Sequence, residues 1–313
     1  MNYTSKVKEE LTKKVNKPAH CRIAQIAAMF SMCGSIMIDE NEKYSLKIKT
    51  ETEYTAKSFK ELIWKTFKIN GEQVVQSYKT NSKAKVYNVF VRKHEDALKI
   101  LSATKIINKD GDLEDNIDIK DNTIIKKDCC KRAFIRGAFL ATGSISDPQK
   151  SYHLEIKCTS EKRAIQLINI LKNFNIDAKK VARKGSFVVY IKEGDQIIDT
   201  LNVMEATVSL LDMENIRILK DMSNYYNREV NCEIANIKKT VTTACRQIDD
   251  INLIIEKKGI DYLPERLRDI ALVRLNNPDA SLQKLGEILN PPLGKSGVNH
   301  RLRKISEIAQ ELK

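Results

Sequence analysis

Two stretches decide the fold. Phe134–Ile145 reads FIRGAFLATGSI, and Gln25–Ile36 reads QIAAMFSMCGSI. Both are apolar runs at helical spacing that close on Gly-Ser-Ile. Registering Gly34-Ser35-Ile36 on Gly143-Ser144-Ile145 brings further segments into line. YSLKIKTETEYTA (44–56) falls on YHLEIKCTSEKRA (152–164), and FKI (67–69) falls on FNI (174–176). FVRKHEDALKIL (90–101) falls on YIKEGDQIIDTL (190–201). Matches in successive blocks, in one order, define an internal duplication.

Each repeat has the same plan, α-β-β-α-β-β-α. The spacing predicts a first helix near 20–32 and 131–142, ended by Gly34 and Gly143. Tyr44 to Ile48 alternates apolar residues with Ser45 and Lys47, the pattern of a half-buried strand. Helices are expected at 53–68 and 161–173. Strands are expected at 72–79 and 85–92, matched by 178–183 and 186–192. A closing helix is expected at 94–106 and 195–210. The polar run 108–119 reads as the joint between repeats. Gly137 sits inside a helix at a cost of about 1 kcal/mol relative to alanine. Its counterpart is Ala28. Small residues on both first helices (Ala24, Ala27, Ala28; Ala133, Gly137, Ala138, Ala141) predict a close-packed seam between pseudo-symmetric halves.

The chain has 313 residues and a formal net charge of +13, which points to an anionic partner. No window is long and apolar enough for a membrane span, and no secretory h-region is visible. Seven cysteines, Cys129 and Cys130 adjacent and the others scattered, do not read as a secreted disulfide framework. There is no Cys-x2-Cys pair, and the four histidines are far apart, so the spacing predicts no metal site. No cofactor is expected, and the chain reads as cytoplasmic.

After residue 213 the repeat ends. Residues 214–227 are expected to link residues 1–213, with repeats at about 20–107 and 127–213, to a helical domain at 228–313. Ile234, Ile237, Val241, Ala244, Ile248, Ile251 and Ile255 recur at helical spacing, and Gly259 stops the helix. Pro264 opens the next helix and Pro278 bounds it. Ser281 caps a helix with Leu282, Leu285 and Leu289 on its core face. Asn290-Pro291-Pro292-Leu293-Gly294 breaks it, and a basic helix follows that buries Val298, Leu302 and Ile305. Residues 281–305 therefore read as a helix-turn-helix. Lys295, Ser296, Asn299, His300, Arg301, Arg303 and Lys304 are its candidate DNA-binding residues. Asn299 and Arg303, four apart, are favoured as base readers over Arg301. On the strands, Lys47, Lys49, Lys83, Lys85, Arg92, Lys157 and Lys192 are candidate phosphate contacts.

The doubled helix-to-Gly stretches resemble the LAGLIDADG homing endonucleases. That resemblance implies an α+β fold: a pseudo-symmetric pair of antiparallel sheets forming a saddle around two central helices. In those enzymes an acid directly before each terminal glycine holds divalent metal. Here Cys33 and Thr142 stand at those places, and neither is a hard oxygen anion suited to Mg²⁺. The expectation is a nuclease-like scaffold with no catalytic residue. Asp39 and Asp147, nearby and pseudo-equivalent, read as turn or strand-edge residues. SLQKLGEILNPPLGKSGVNHRLRKI, with ANIKKTVTTACRQIDDI before it, resembles the C-terminal part of the WhiA family of bacterial sporulation and cell-division regulators. Family membership would imply sequence-specific binding of double-stranded promoter DNA, a nucleoid-associated location, and in some lineages a small iron–sulfur co-regulator. The competing readings are a residual metal-dependent homing endonuclease and a protein-interaction adaptor.

Overall fold

A computed structural model describes residues 2–77, 85–107 and 123–313. Lys83 and the joint at 108–119 lie outside the described residues. The chain divides into two compact units, Met1–Leu219 and Lys220–Lys313.

The first unit begins with a helix that the sequence reading passed over, α1 (Tyr3–Thr12). Its signals were present. The Asn2 side chain caps it by accepting from the Ser5 amide, and Val7 and Leu11 are four apart and buried. Then come α2 (Ala19–Cys33), β1 (Gly34–Ile38), β2 (Tyr44–Thr50), α3 (Glu53–Phe67), β3 (Glu72–Ser77), β4 (Lys85–Val91) and α4 (His94–Ala103). The second repeat copies this order with α5 (Asp128–Thr142), β5 (Gly143–Ile145), β6 (Leu154–Cys158), α6 (Glu161–Lys172), β7 (Lys179–Arg183), β8 (Ser186–Ile191) and α7 (Gly194–Met204). Each repeat makes a four-stranded antiparallel sheet, ordered β1-β2-β4-β3 and β5-β6-β8-β7.

The two repeated stretches form α2 and α5, which pack on one another in the middle of one shared core. Both bury nearly their whole circumference, from Ala24 to Met32 and from Ala133 to Ala141. Gly137 explains the closeness. A Cβ there would lie 2.5 Å from the Gln25 carbonyl oxygen and 3.0 Å from the Ala28 Cβ. The missing methyl is therefore space that the other backbone occupies. Gly34 and Gly143 act differently from ordinary helix stops. Both have extended φ, −89° and −74°, so no left-handed cap is involved. A side chain on either would run into the ring of Phe30 or Phe139, four residues back.

One expected helix is split. The run 195–210 turns at Glu205, which is left-handed (φ 63°), and the Ala206 amide donates to Leu201 O. The fully buried Arg136 holds this corner. Its Nε donates to Met204 O at 2.8 Å, and its guanidinium pairs with Glu205 at 2.7 Å. Chain direction is thus fixed by a long-range partner that local spacing does not reveal. After the corner, α8 runs unbroken over Thr207–Lys258, and the segment 214–227 lies within it as helix.

The second unit contains the end of α8, then α9 (Glu265–Asn276), α10 (Leu282–Ile288) and α11 (Lys295–Glu311). Ile251, Ile254, Ile270, Leu285, Val298, Leu302 and Ile305 meet in its core. Ser281 caps α10 by accepting from the Lys284 amide. A Cβ on Gly286 would overlap the carbonyl oxygen of Leu293, whose amide donates to Gly286 O at 2.9 Å. The turn between α10 and α11 thus lies directly on α10. Buried Arg274 donates to Ala280 O at 2.8 Å and fixes the loop that enters α10.

Candidate nucleic-acid interface

α11 is amphipathic, so burying Val298, Leu302 and Ile305 against α9 and α10 dictates what faces water. Ser296, Asn299, His300 and Arg303 fall at i, i+3, i+4 and i+7 and are all exposed. Lys295 and Lys304 flank them, also exposed. Arg301 lies elsewhere: its guanidinium donates to Arg266 O on α9 at 3.3 Å. Arg303 forms an i,i+4 pair with Glu307 at 3.2 Å, but both are largely solvated, so the pair is weak and the guanidinium is free to reach outward.

Strand register sorts the other candidates. Residues opposite one another across an antiparallel ladder share a face. In the first sheet Lys47 pairs with Phe90 and Lys49 with Asn88, while Leu46 and Ile48 pair with Val91 and Val89. Lys47, Lys49, Phe90 and Arg92 are therefore on the face away from the helices. Lys47 Nζ lies 5.5 Å and Arg92 Cζ 4.8 Å from the Phe90 ring centroid. Glu72 pairs with Arg92 at 2.5 Å. Lys85 corrects the expectation: two-residue alternation puts it in phase with Tyr87, Val89 and Val91, on the opposite face from Lys47 and Lys49, although it is itself exposed. In the second sheet Lys157 pairs with Val188 on the outer face, and Lys192 Nζ lies 5.5 Å from the Tyr190 centroid. The reading missed Lys179 and Arg183, which register places on that same face. KKVAR has lysines at both phases and its valine on the outer face, so its own pattern does not set the phase and only the register with β8 does.

The residues before Gly34 and Gly143 are both engaged. Cys33 Sγ donates to Met29 O at 3.3 Å, and Thr142 Oγ1 donates to Lys157 O at 2.7 Å. The last-turn carbonyls of the two central helices are engaged across the seam. Buried Thr55 of α3 donates to Leu140 O at 2.6 Å, and Arg163 of α6 donates to Ser31 O. Buried Lys8 brings a cation beside Cys33. Burial pushes its ammonium down to about 8, against opposing charge effects from Cys33 and Glu51. Burial likewise pushes the Cys33 thiol up to about 12. A neutral thiol, a hydroxyl bonded to backbone and a buried ammonium do not fit Mg²⁺, which wants carboxylate and water oxygens. Asp39 and Asp147 are committed elsewhere. Asp39 Oδ1 accepts from the Asn41 and Lys43 amides, and Asp147 Oδ1 accepts from the Gln149 amide, so both hold turns after the first strand of their sheet.

Spacing also missed a second cluster. His20 and Cys21 open α2, Cys129 and Cys130 open α5, and their ligand atoms all lie within 4.8 Å of one another. Motif rules look for ligands close in sequence, and here each repeat supplies two.

A duplicated two-sheet scaffold carried on one chain with a helix-turn-helix defines a DNA-binding regulator. Family models agree in all three parts. The WhiA N-terminal LAGLIDADG-like domain matches residues 19–107, the WhiA LAGLIDADG-like domain matches 131–223, and the WhiA C-terminal HTH domain matches 226–309. A probable cell division protein WhiA of Lachnoclostridium phytofermentans is 47% identical, covering 100% of both chains. Its namesake in Thermoanaerobacter pseudethanolicus is 44% identical, over 100% of this chain and 98% of that one. The crystal structure of full-length DUF199/WhiA from Thermatoga maritima matches with a TM-score of 0.60 and 25% identity, covering 99% of each chain. The chain belongs to the WhiA family. No helix of the described residues is long and apolar enough to cross a membrane.

Proposed function

We propose that the chain is a sequence-specific regulator of transcription that binds double-stranded promoter DNA and acts in cell division, sporulation or both. The observation that carries this reading is the exposed polar stripe of α11. Its N-terminal half is the part of a recognition helix that enters the major groove. On this reading Asn299 and Arg303 read base edges, an amide suiting adenine and a guanidinium suiting guanine. His300 stands between them on the same stripe. Lys295, Ser296 and Lys304 contact phosphates and set the register. Arg301 supports the helix through α9. The outer sheet faces, with Lys47, Lys49, Arg92, Lys157 and Lys192, add sequence-independent affinity. The place of action is the cytoplasm, at the nucleoid, and the surface of the two-sheet unit is available to a small iron–sulfur co-regulator or another protein.

Genome-wide immunoprecipitation of the wild type and of Asn299→Ala/Arg303→Ala tests the reading. Discrete promoter-proximal sites should appear, and the variant should lose them. Each lost base contact costs about 1–3 kcal/mol, roughly 5- to 150-fold in specific affinity. Uniform signal in the wild type, or sites that persist in the variant, would reject base reading by α11.

A further inference from the structure

The mouth of the seam, opposite the former catalytic end, carries the His20, Cys21, Cys129 and Cys130 cluster. The four residues occupy matching places. Pro18 and Lys127 are the N-caps of α2 and α5, so His20 and Cys129 are each the second helical residue, and Cys21 and Cys130 the third. The duplication therefore presents two ligand pairs to one another across the pseudo-symmetry axis. Cys21 and Cys130 are buried, while His20 and Cys129 reach solvent. His20 Nδ1 lies 3.1 Å from Cys130 Sγ and 3.3 Å from Cys21 Sγ.

We propose that these four side chains form a Cys3His site for a zinc-type divalent cation, which staples the two repeats together at the start of their central helices. Three thiols and one imidazole are the donor set of a closed structural zinc site. A tetrahedral ion with Zn–S about 2.3 Å and Zn–N about 2.0–2.1 Å needs ligand atoms roughly 3.5–3.8 Å apart. The observed pairs, from 3.1 Å up to the 4.8 Å limit, bracket that spacing. Rotamer changes on four side chains of a first helical turn are enough to close on it. The surroundings favour the product. Three thiolates, one neutral imidazole and Zn²⁺ carry a net charge of −1. Two helix N-termini point their partial positive charge at it. Lys17, Arg22, Lys126, Lys127, Lys131 and Arg132 flank the ligands in sequence. Because zinc is held by thiolates, binding releases the thiol protons. The balance is one Zn²⁺ in and three thiol protons out, with no redox partner.

The experiment uses the full chain purified under reducing conditions. Expected is about one zinc per chain by elemental analysis, and, after exchange into Co²⁺, the visible and thiolate charge-transfer bands of a tetrahedral sulfur-rich centre. Cys129→Ser and His20→Asn, at the two exposed ligands, should leave the Trp64 unfolding transition of the metal-free chain unchanged. Each should weaken zinc binding beyond the roughly 10- to 100-fold expected for losing a group that only hydrogen-bonds a ligand. Cys232→Ser and Cys245→Ser, exposed cysteines of α8 outside the cluster, should leave stoichiometry and spectrum unchanged. A folded wild type that holds no zinc and gives no tetrahedral Co²⁺ spectrum overturns the proposal. So does metal that survives Cys129→Ser/His20→Asn, or that leaves with Cys232 or Cys245. A Cys–Cys disulfide in the chain as isolated from cells would also overturn it.

Discussion

Replacing Gly137 by alanine puts a Cβ 2.5 Å from the Gln25 carbonyl oxygen, 3.2 Å from its carbonyl carbon and 3.0 Å from the Ala28 Cβ. Carbon–oxygen contact settles near 3.3–3.6 Å. The obstacle is backbone of a buried helix, so no rotamer change relieves it, and α2 and α5 must part by about 0.8 Å. Overpacking of this sort costs about 1–3 kcal/mol. Parting the helices also weakens every contact along the seam, since a gap of 0.5–1 Å forfeits about a quarter to a half of each dispersion well. Against this, alanine improves helix propensity by about 1 kcal/mol. The balance is a loss of about 2 kcal/mol, or roughly 4–8 °C in midpoint for a unit of this size. Trp64, the only tryptophan, lies on α3 and is half exposed, so its fluorescence reports the first unit alone. Gly137→Ala should lower the Trp64 midpoint. Adding Ala28→Gly should recover less than half, because it removes the 3.0 Å contact and leaves the 2.5 Å one. A midpoint equal to or above wild type would refute close packing at this point of the seam.

Lys8 titrates near 10.5 when unfolded and about 8 when folded, so the unfolded chain binds more protons between those values and the penalty of burying the charge is largest below pH 8. Lys8→Met should raise stability at pH 7 by about 1–3 kcal/mol, and the gap to wild type should shrink as pH rises from 8 to 10.5. Urea titrations showing a pH-independent gap would contradict the buried charge. Supercoiled DNA should stay intact with Mg²⁺, for the wild type and for Cys33→Asp/Thr142→Asp, because Lys8 and the seam hydrogen bonds already fill the place of the metal. Wild-type cleavage lost in Asp39→Asn or Asp147→Asn would reverse that assignment. Gly286→Ala should abolish specific DNA binding while sparing the Trp64 transition, as the added methyl drives the turn off α10; retained binding would show that the turn gives way without cost.

Much of this architecture was readable because the duplication supplies two copies of each signal. Gly34 and Gly143 located the central helices, and FVRKHEDALKIL against YIKEGDQIIDTL located strand and helix in both sheets. Hydrophobic spacing likewise gave α11 its buried face, and with it the outward stripe from Ser296 to Arg303. Local pattern failed where a distant partner decides. The corner at Glu205 depends on Arg136, sixty-nine positions earlier. Lys85 fell on the opposite face because its strand starts in opposite phase to Lys47. The sulfur cluster was invisible to spacing since its halves come from different repeats. α1 was passed over because its apolar signal is only Val7 and Leu11 among lysines and glutamates.

The two outer sheet faces descend from one ancestor yet no longer match. Where the first sheet has Lys47, the second has Glu155, tied to Ser144 and Arg183. Where the first has Glu72 opposite Phe90, the second has Lys179 opposite Tyr190. A symmetric dimer of a single repeat would present identical halves and favour palindromes. Fusion in one chain released each half to drift, so the pair of faces has a front and a back. On the proposed reading, a double helix laid along both faces would be held in one direction, so that upstream is told from downstream on a sequence with no symmetry of its own.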